Sequence, residues 1–559
     1  MNYNKYRQSE IFRFPERTWP DRVHEKAPVW CSVDLRDGNQ ALTEPMTVDE
    51  KIEYFSELIN LGFKEIEVGF PSASAIEYDF IRKLSEEKMI PDDVTVQVLV
   101  QCREHLIQRT LEAIDDIRNV IIHIYTNIST VQRKLVYGKT KDEIIEMAVT
   151  AAKSIKDFAE KHEGTVALEY SPESFTETEP EFAAEVCNAV IDAWEPSEDR
   201  RIIINIPATI ENSTPNVFAD KTEWISGHLK KREYVVLSVH PHNDMGTATA
   251  AAELALLAGA QRIEGTLFGN GERTGNADLI NVACNLMAQG IDPELDVTDI
   301  PGIRRMYERL TKMKVAERHP YAGELVFTAF SGGHQDAINK VLTSRRNRED
   351  EKWNVPYLII DPADVGRVYE PLVRINSQSG GGGVAFIMET YHGFKLPKGM
   401  RSDFAAIVQA KAETEGELEP DRIMQLFKQN YLDMKSPYHF RACRMEDIRA
   451  AADDNFHTVA NVEYEYRGEP FTFTAKGNGP IDAVKTGLQN VVGHKLRILD
   501  YSEHALREGS NAQAAAYIHL MNPATGSVTY GVGVSQSTTR ASIRAIFGAL
   551  NRLIEMDGE

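Results

Sequence analysis

From about residue 29 the chain keeps a rhythm that few folds can satisfy. Short apolar runs rich in β-branched residues recur, and helical spacing fills the gaps between them. The runs are Val29–Leu35, Glu65–Phe70, Val94–Val100, Val120–Thr126, Val166–Ser171, Ile202–Pro207, Val235–His240 and Ile263–Phe268. Between them, Asp49 to Asn60 reads as a helix stopped by Leu61-Gly62, and Lys141 to His162 as one closed by Gly164. Eight alternating β and α units predict an α/β fold, a (β/α)8 TIM barrel. A doubly wound open sheet is the rival architecture.

A barrel of this kind carries its chemistry at the C-terminal ends of its strands. Residues with reactive side chains fall there. Arg36 and Asp37 follow the first run, His123 lies late in the fourth, and Ser171 and Glu173 follow the fifth, two apart. Thr209 follows the sixth, His240 and His242 end the seventh, and Asn270, Glu272 and Asn276 sit in the glycine-rich turn after the eighth. Side chains two apart on a strand share a face, so His240 and His242 can point at one ion. Pro241 between them lacks an N–H, which suits the end of a strand. Two imidazoles with the Asp37 carboxylate make a three-ligand metal site with positions left for substrate or water.

Plain structural roles stand beside these. Asp37 could cap a turn with Gly38-Asn39, Arg36 could serve an ordinary ion pair, and His123 could be a satisfied core histidine. Ser171 and Glu173 could cap the following helix. The Gly269–Asn276 loop lacks the Gly-Lys-Ser/Thr of a nucleotide loop and reads as a tight turn.

Composition narrows the function classes. A net charge of −22 argues against nucleic acid and anionic membrane surfaces as partners. Five scattered cysteines without a CxxC pair fit a reducing compartment. No apolar run approaches a membrane span, and the N-terminus carries no signal core, so a cytoplasmic location is expected.

The stretches DLRDGNQAL, HPHNDMGTA and EGTLFGNGERTGNADL together resemble the metallolyase barrels that condense an acyl-CoA with a 2-oxo acid. SGGHQDAI and RINSQSGGGG narrow the resemblance to the 2-isopropylmalate synthase family, and it covers nearly the whole chain. One departure is visible: Gly381 stands where the family usually carries a lysine.

The resemblance implies condensation of acetyl-CoA with 3-methyl-2-oxobutanoate, then hydrolysis of the thioester. It implies a divalent metal (Mg²⁺, Mn²⁺ or Zn²⁺) on Asp37, His240 and His242, with Asn276 added. Arg36 would face the alkoxide, and His123, Ser171 and Thr209 would orient the 2-oxo acid. Glu173 and His334 are the named bases. His334 and Tyr369 are implied to reach into a partner subunit's barrel, so a homodimer is expected. A helix cap and simple packing are their plain alternatives. Homocitrate and citramalate synthases share the barrel motifs. An Fe(II) oxygenase and a non-catalytic amino-acid sensor are the readings from other classes.

The expected domains are residues 1–300 as the barrel, 301–433 as linker subdomains, and 434–559 as a C-terminal α+β domain. In the last, Val459–Tyr466 and Phe471–Ala475 read as a hairpin through Arg467-Gly468. A helix from Pro480 to about Val492, strands near Leu496–Tyr501, Ala514–Met521 and Val528–Val534, and a helix Ser537–Ile554 follow. By resemblance this is a regulatory domain that binds L-leucine, with Gly477 and Gly479 in the effector segment.

Overall fold

The computed structural model describes residues 1–6, 11–328, 332–345, 352–369, 381–416, 418–432, 434–449, 456–506 and 512–558. The chain divides into two compact units: Met1–Phe327 with Ile360–Val368, and Thr328–Ile359 with Tyr369–Glu559.

The first unit is a closed barrel of parallel strands, which rules out the open doubly wound sheet. Its strands are β1 (Val29–Ser32), β2 (Glu65–Gly69), β3 (Thr95–Gln101), β4 (Asn119–Asn127), β5 (Thr165–Glu173), β6 (Ile202–Ala208), β7 (Val235–Pro241) and β8 (Arg262–Gly265). Pairing runs in chain order, and β8 closes the ring on β1 through Val29–Arg262 and Ser32–Gly265. The outer helices are α1 (Val48–Asn60), α2 (Ala75–Glu86), α3 (Glu104–Ile114), α4 (Lys141–Ala159), α5 (Pro180–Trp194), α6 (Pro215–His228), α7 (Ala248–Leu257) and α8 (Leu279–Ala288), followed by α9 (Ile300–Thr311). Helices α1 and α4 open on reciprocal caps, Thr47 with Glu50 and Thr140 with Glu143. Each cap satisfies two backbone donors that the first turn leaves without partners.

The first and eighth strands each stop three residues short of the sequence expectation. The first run was expected to stay extended to Leu35, but the chain leaves β1 after Ser32 and coils through Asp34–Gly38. The Gly38 N–H donates to the Val33 carbonyl, five residues back. Asp34 drives the turn: its buried carboxylate accepts from Ser32 Oγ, Tyr54 Oη and the Leu267 N–H. The eighth run ends at Gly265, because the Thr266 hydroxyl donates to the Asn270 carbonyl and bends the loop. In contrast, β5 runs two residues further than expected, so Ser171 and Glu173 are both strand residues.

The second unit holds α10 (Gly332–Arg345), α11 (Gly381–His392), α12 (Lys398–Glu415) and α13 (Pro420–Asn430). Two antiparallel three-stranded sheets follow: β9 (Tyr438–Arg449), β10 (Phe456–Tyr466) and β11 (Glu469–Gly477), then β12 (Arg497–Ala505), β13 (Ala514–Met521) and β14 (Val528–Ser535). Helices α14 (Pro480–Val492) and α15 (Thr538–Asp557) complete it. The expected hairpin is present, and its two turn residues Arg467 and Gly468 both have positive φ, as a tight primed turn requires. β9 was missed by the sequence reading; its alternation is weak because Arg441, Arg444, Glu446 and Asp447 crowd one short run. Val462, Leu488, Ile518, Phe547 and Leu550 lie in one apolar core of this unit, and Val384, Phe404, Phe427 and Tyr517 in a second.

Candidate active site

A cavity of about 270 Å³ opens at the C-terminal end of the barrel strands. Arg36, Asp37, His123, Ser171, Glu173, Thr209, His240 and His242 all line it. These residues come from five strands or the turns after them, and barrel closure alone brings them to one place.

Asp37, His240 and His242 form a tight set whose ligand atoms lie within 4.8 Å of one another. His240 Nε2 stands 3.2 Å from Asp37 Oδ2, and His242 Nε2 stands 3.9 Å from the same oxygen. All three side chains are buried. The other His240 nitrogen, Nδ1, is 2.7 Å from Glu264 Oε2. A carboxylate only accepts, so Nδ1 carries a proton there and Nε2 is the atom turned to Asp37. Asn276 is bridged to His242 through the backbone, and its Oδ1 is buried without a hydrogen-bond partner among the described residues.

The charges suit a cation. Burial opposes ionisation of Asp37, but the Arg36 guanidinium and His240 hold its carboxyl well below the usual range. Burial also works against a charged His240, yet Asp37 and Glu264 on its two nitrogens raise it to about 9, so the metal-free ring holds a second proton at Nε2 whose place a bound cation would take. His242 is pushed down to about 4, first by burial and then by the charge of His240, so it is a neutral imidazole with a lone pair to offer. A hard carboxylate, two imidazoles and an orphaned amide oxygen are a donor set that fits a divalent metal.

Three models of known families match the chain: HMGL-like over residues 27–306, the alpha-isopropylmalate synthase post-catalytic domain-like model over 324–389, and the LeuA allosteric (dimerisation) domain over 417–554. The 2-isopropylmalate synthase of Clostridium acetobutylicum is 49% identical over 556 residues, covering 99% of each chain. The chain belongs to the 2-isopropylmalate synthase family. The synthase of Agrobacterium fabrum is 48% identical over 554 residues, covering 99% of this chain and 98% of that protein. Among solved structures, the hydroxymethylglutaryl-CoA lyase of Pseudomonas aeruginosa aligns with a TM-score of 0.43 at 18% identity, covering 53% of this chain and 96% of that one.

In this member of the 2-isopropylmalate synthase family the rest of the cavity is fixed by buried pairs. Arg36 Nε lies 2.5 Å from Glu67 Oε2, and its Nη1 lies 3.2 Å from Asp37 Oδ1. Burial disfavours its charge, but these two carboxylates keep it a cation. His123 stands between Glu67 Oε1, 2.8 Å from Nδ1, and Ser171 Oγ, 2.7 Å from Nε2. Asn205 Nδ2 donates to the same Ser171 oxygen at 3.0 Å. Thr209 Oγ1 accepts from the Ser174 N–H at 2.8 Å. Glu173 has its carboxyl raised, chiefly by burial, while Asn127 and Arg36 pull it back.

Residues the sequence reading did not single out support this rim. Gln40 Nε2 donates to Asp37 Oδ1 at 3.0 Å, while Arg273 donates to Asp244 and to the Thr209 carbonyl. Beneath lies a polar layer of Glu67, Gln97, Glu169, Arg262 and Glu264, each fully buried, and burial raises the Glu169 carboxyl well above the usual range. The available signal was polar residues on alternate positions inside otherwise apolar strands. His123, Glu169 and Glu264 also bring ligand atoms within 4.8 Å of one another. There the Arg262 guanidinium supplies the positive charge, 3.0 Å from Glu264 and 3.2 Å from Glu169.

His334 and Tyr369 belong to the second unit. His334 is exposed on α10 and stacks on Tyr357 at 3.9 Å between ring centroids. The Tyr369 hydroxyl is buried without a partner among the described residues, and burial raises its pKa. Gly477 ends β11 where a Cβ would strike the backbone of Asp482 and Ala483. Gly479 caps α14, with open space where its Cβ would be. Gly381 starts α11 beside the Arg401 backbone.

Proposed function

We propose that the barrel cavity joins acetyl-CoA to 3-methyl-2-oxobutanoate and yields 2-isopropylmalate and CoA, the first committed step of leucine biosynthesis, in the cytoplasm. The observation that carries this reading is the Asp37, His240 and His242 set at the cavity, with ligand atoms within 4.8 Å of one another. With Asn276 these residues would hold Mg²⁺, Mn²⁺ or Zn²⁺. A divalent cation, when bound, supplies a Lewis acid for the ketone of the 2-oxo acid.

The remaining steps belong to the chain. His123, Ser171 and Thr209 orient the 2-oxo acid and its carboxylate. Arg36, kept cationic between Glu67 and Asp37, faces the oxygen on which negative charge develops. A donor of this kind contributes ~3 kcal/mol to the barrier. Glu173, whose burial raises its basicity, takes a proton from the acetyl methyl. The carbanion adds to the ketone carbon, and the alkoxide is protonated. Water then cleaves the thioester, leaving a carboxylate and the CoA thiol. His334 and Tyr369 complete the site from the partner in a homodimer, His334 sharing the proton traffic with Glu173.

Residues 1–300 act as the catalytic barrel, 301–433 as linker subdomains, and 434–559 as the allosteric domain. L-leucine binds that domain near Gly477 and Gly479 and inhibits the barrel, a coupling that needs two states of different leucine affinity. The test is a panel of 2-oxo acids with acetyl-CoA, read by thiol release, with and without leucine. Preference for 3-methyl-2-oxobutanoate and inhibition by leucine support the reading; preference for 2-oxoglutarate or pyruvate overturns it.

A further inference from the structure

Glu264 lies on β8, wholly buried, with both oxygens fully engaged. Its Oε2 accepts from His240 Nδ1 at 2.7 Å and from Asn205 Nδ2 at 2.9 Å. Its Oε1 accepts from Gln97 Nε2 at 2.8 Å and from Arg262 Nη1 at 3.0 Å. A carboxylate has about four acceptor positions, and four donors from four strands occupy them.

The donors lead in two directions. One is His240, whose tautomer the carboxylate sets, leaving Nε2 for the Asp37 side. The other is Asn205, whose amide nitrogen also donates to Ser171 Oγ, with His123 on the same oxygen. Gln97 adds a third tie, reaching Glu67, the partner of Arg36.

We infer that Glu264 is a positioning residue that couples the metal-ligand side of the cavity to its 2-oxo-acid side. It touches neither substrate nor the reacting atoms. It locks the His240 ring and, through Asn205, the Ser171 hydroxyl into one rigid frame. Arg262 beneath neutralises it, so the carboxylate stays ionised without a solvent shell. This inference rests on the proposed metal and substrate roles of the cavity.

Three measurements test it. In titrations of metal-free protein with Mn²⁺, Glu264→Gln should weaken binding about 10- to 100-fold, the usual cost of losing an outer partner of a ligating histidine. The same variant should raise KM for the 2-oxo acid. Asn205→Ala should raise that KM while leaving the Mn²⁺ affinity within about twofold of wild type, because only the second direction is cut. Glu264→Asp should recover part of both losses. Unchanged Mn²⁺ affinity in a folded Glu264→Gln protein overturns the inference.

If that variant does not fold, the unaltered protein decides. In ¹⁵N-histidine spectra of the Mg²⁺- or Zn²⁺-loaded chain, His240 should carry its proton on Nδ1, and a proton on Nε2 overturns the inference. Neither the metal titration nor the tautomer depends on which 2-oxo acid is used. A chain that keeps both but makes no 2-isopropylmalate refutes the proposed reaction and not the role of Glu264.

Discussion

The two units bury different things. The barrel keeps Asp37, Glu67, Glu169, Arg262, Glu264 and three histidines out of water, together with Lys51 and Asp34. In the second unit, among the described residues, no Asp, Glu, Lys, Arg or His is buried; its cores are aliphatic and aromatic. Its ion pairs, such as Lys411–Glu415 and Arg441–Glu465, stand in reach of solvent. Burying a charge costs several kcal/mol unless partners surround it. A fold that bears that cost repeatedly in one place is preserving an electrostatic arrangement, and the barrel does so directly under its cavity. The second unit holds its shape with apolar cores and uncharged buried hydrogen bonds, such as those of Asn551 to Met434 and Tyr438.

This contrast can be attacked in order of expected effect. Changing Asp37→Asn or His240→Asn should lower kcat/KM on the order of 10³-fold or more and abolish stoichiometric Mn²⁺ binding by calorimetry. Glu173→Gln should cost about 10²- to 10⁴-fold in kcat/KM, the range for losing a general base. The base works deprotonated, so activity rises with pH through its pKa. Because burial raises that pKa, the acid limb of the kcat/KM profile should lie above the ordinary carboxylate range. A limb near pH 4 would mean that another group takes the proton.

Next come two substitutions of similar weight and opposite character. Arg262→Met removes the partner of Glu65, Glu169 and Glu264 and should cost about 3–5 kcal/mol in denaturant unfolding. Phe547→Ala opens a void beside Phe440 and Tyr464 and should cost about the same. Only the first should also weaken Mn²⁺ binding; equal effects would erase the distinction between the units. Smallest of all, Lys411→Ala breaks a solvent-exposed pair on α12 and should leave the denaturant midpoint and the activity unchanged.

Much of this site was legible in the chain before folding. An HxH pair after a β-branched run and an Asp after another such run name the candidate ligands, because strand ends project alternate residues to one face. The barrel followed from counting units. Less legible were the places where a side chain overrules the local pattern. The first strand stops at Ser32 because Asp34 finds Tyr54 and the Leu267 N–H, partners that are distant in sequence. Glu264 and Gln97 look like isolated polar residues in apolar strands. Their meaning depends on which side chains face them across the barrel.

The sequence by itself determined the alternation of strands and helices, the tight turn at Arg467-Gly468, the helix starting at Pro480, and the residue types that can bind a metal. These depend on neighbours within a few positions, and short-range sterics and periodicity decide them. Only the tertiary structure decided that Asp37 and His240 stand 3.2 Å apart, that Glu264 joins His240 to Asn205, and that Arg262 pairs with both Glu264 and Glu169. Those contacts span up to 203 positions, and the longest of them, Asp37 to His240, joins the two ends of a ring that closes when β8 pairs with β1. Ring closure brings the buried ionisable groups together, and in a low-dielectric interior a charge persists only beside its partners.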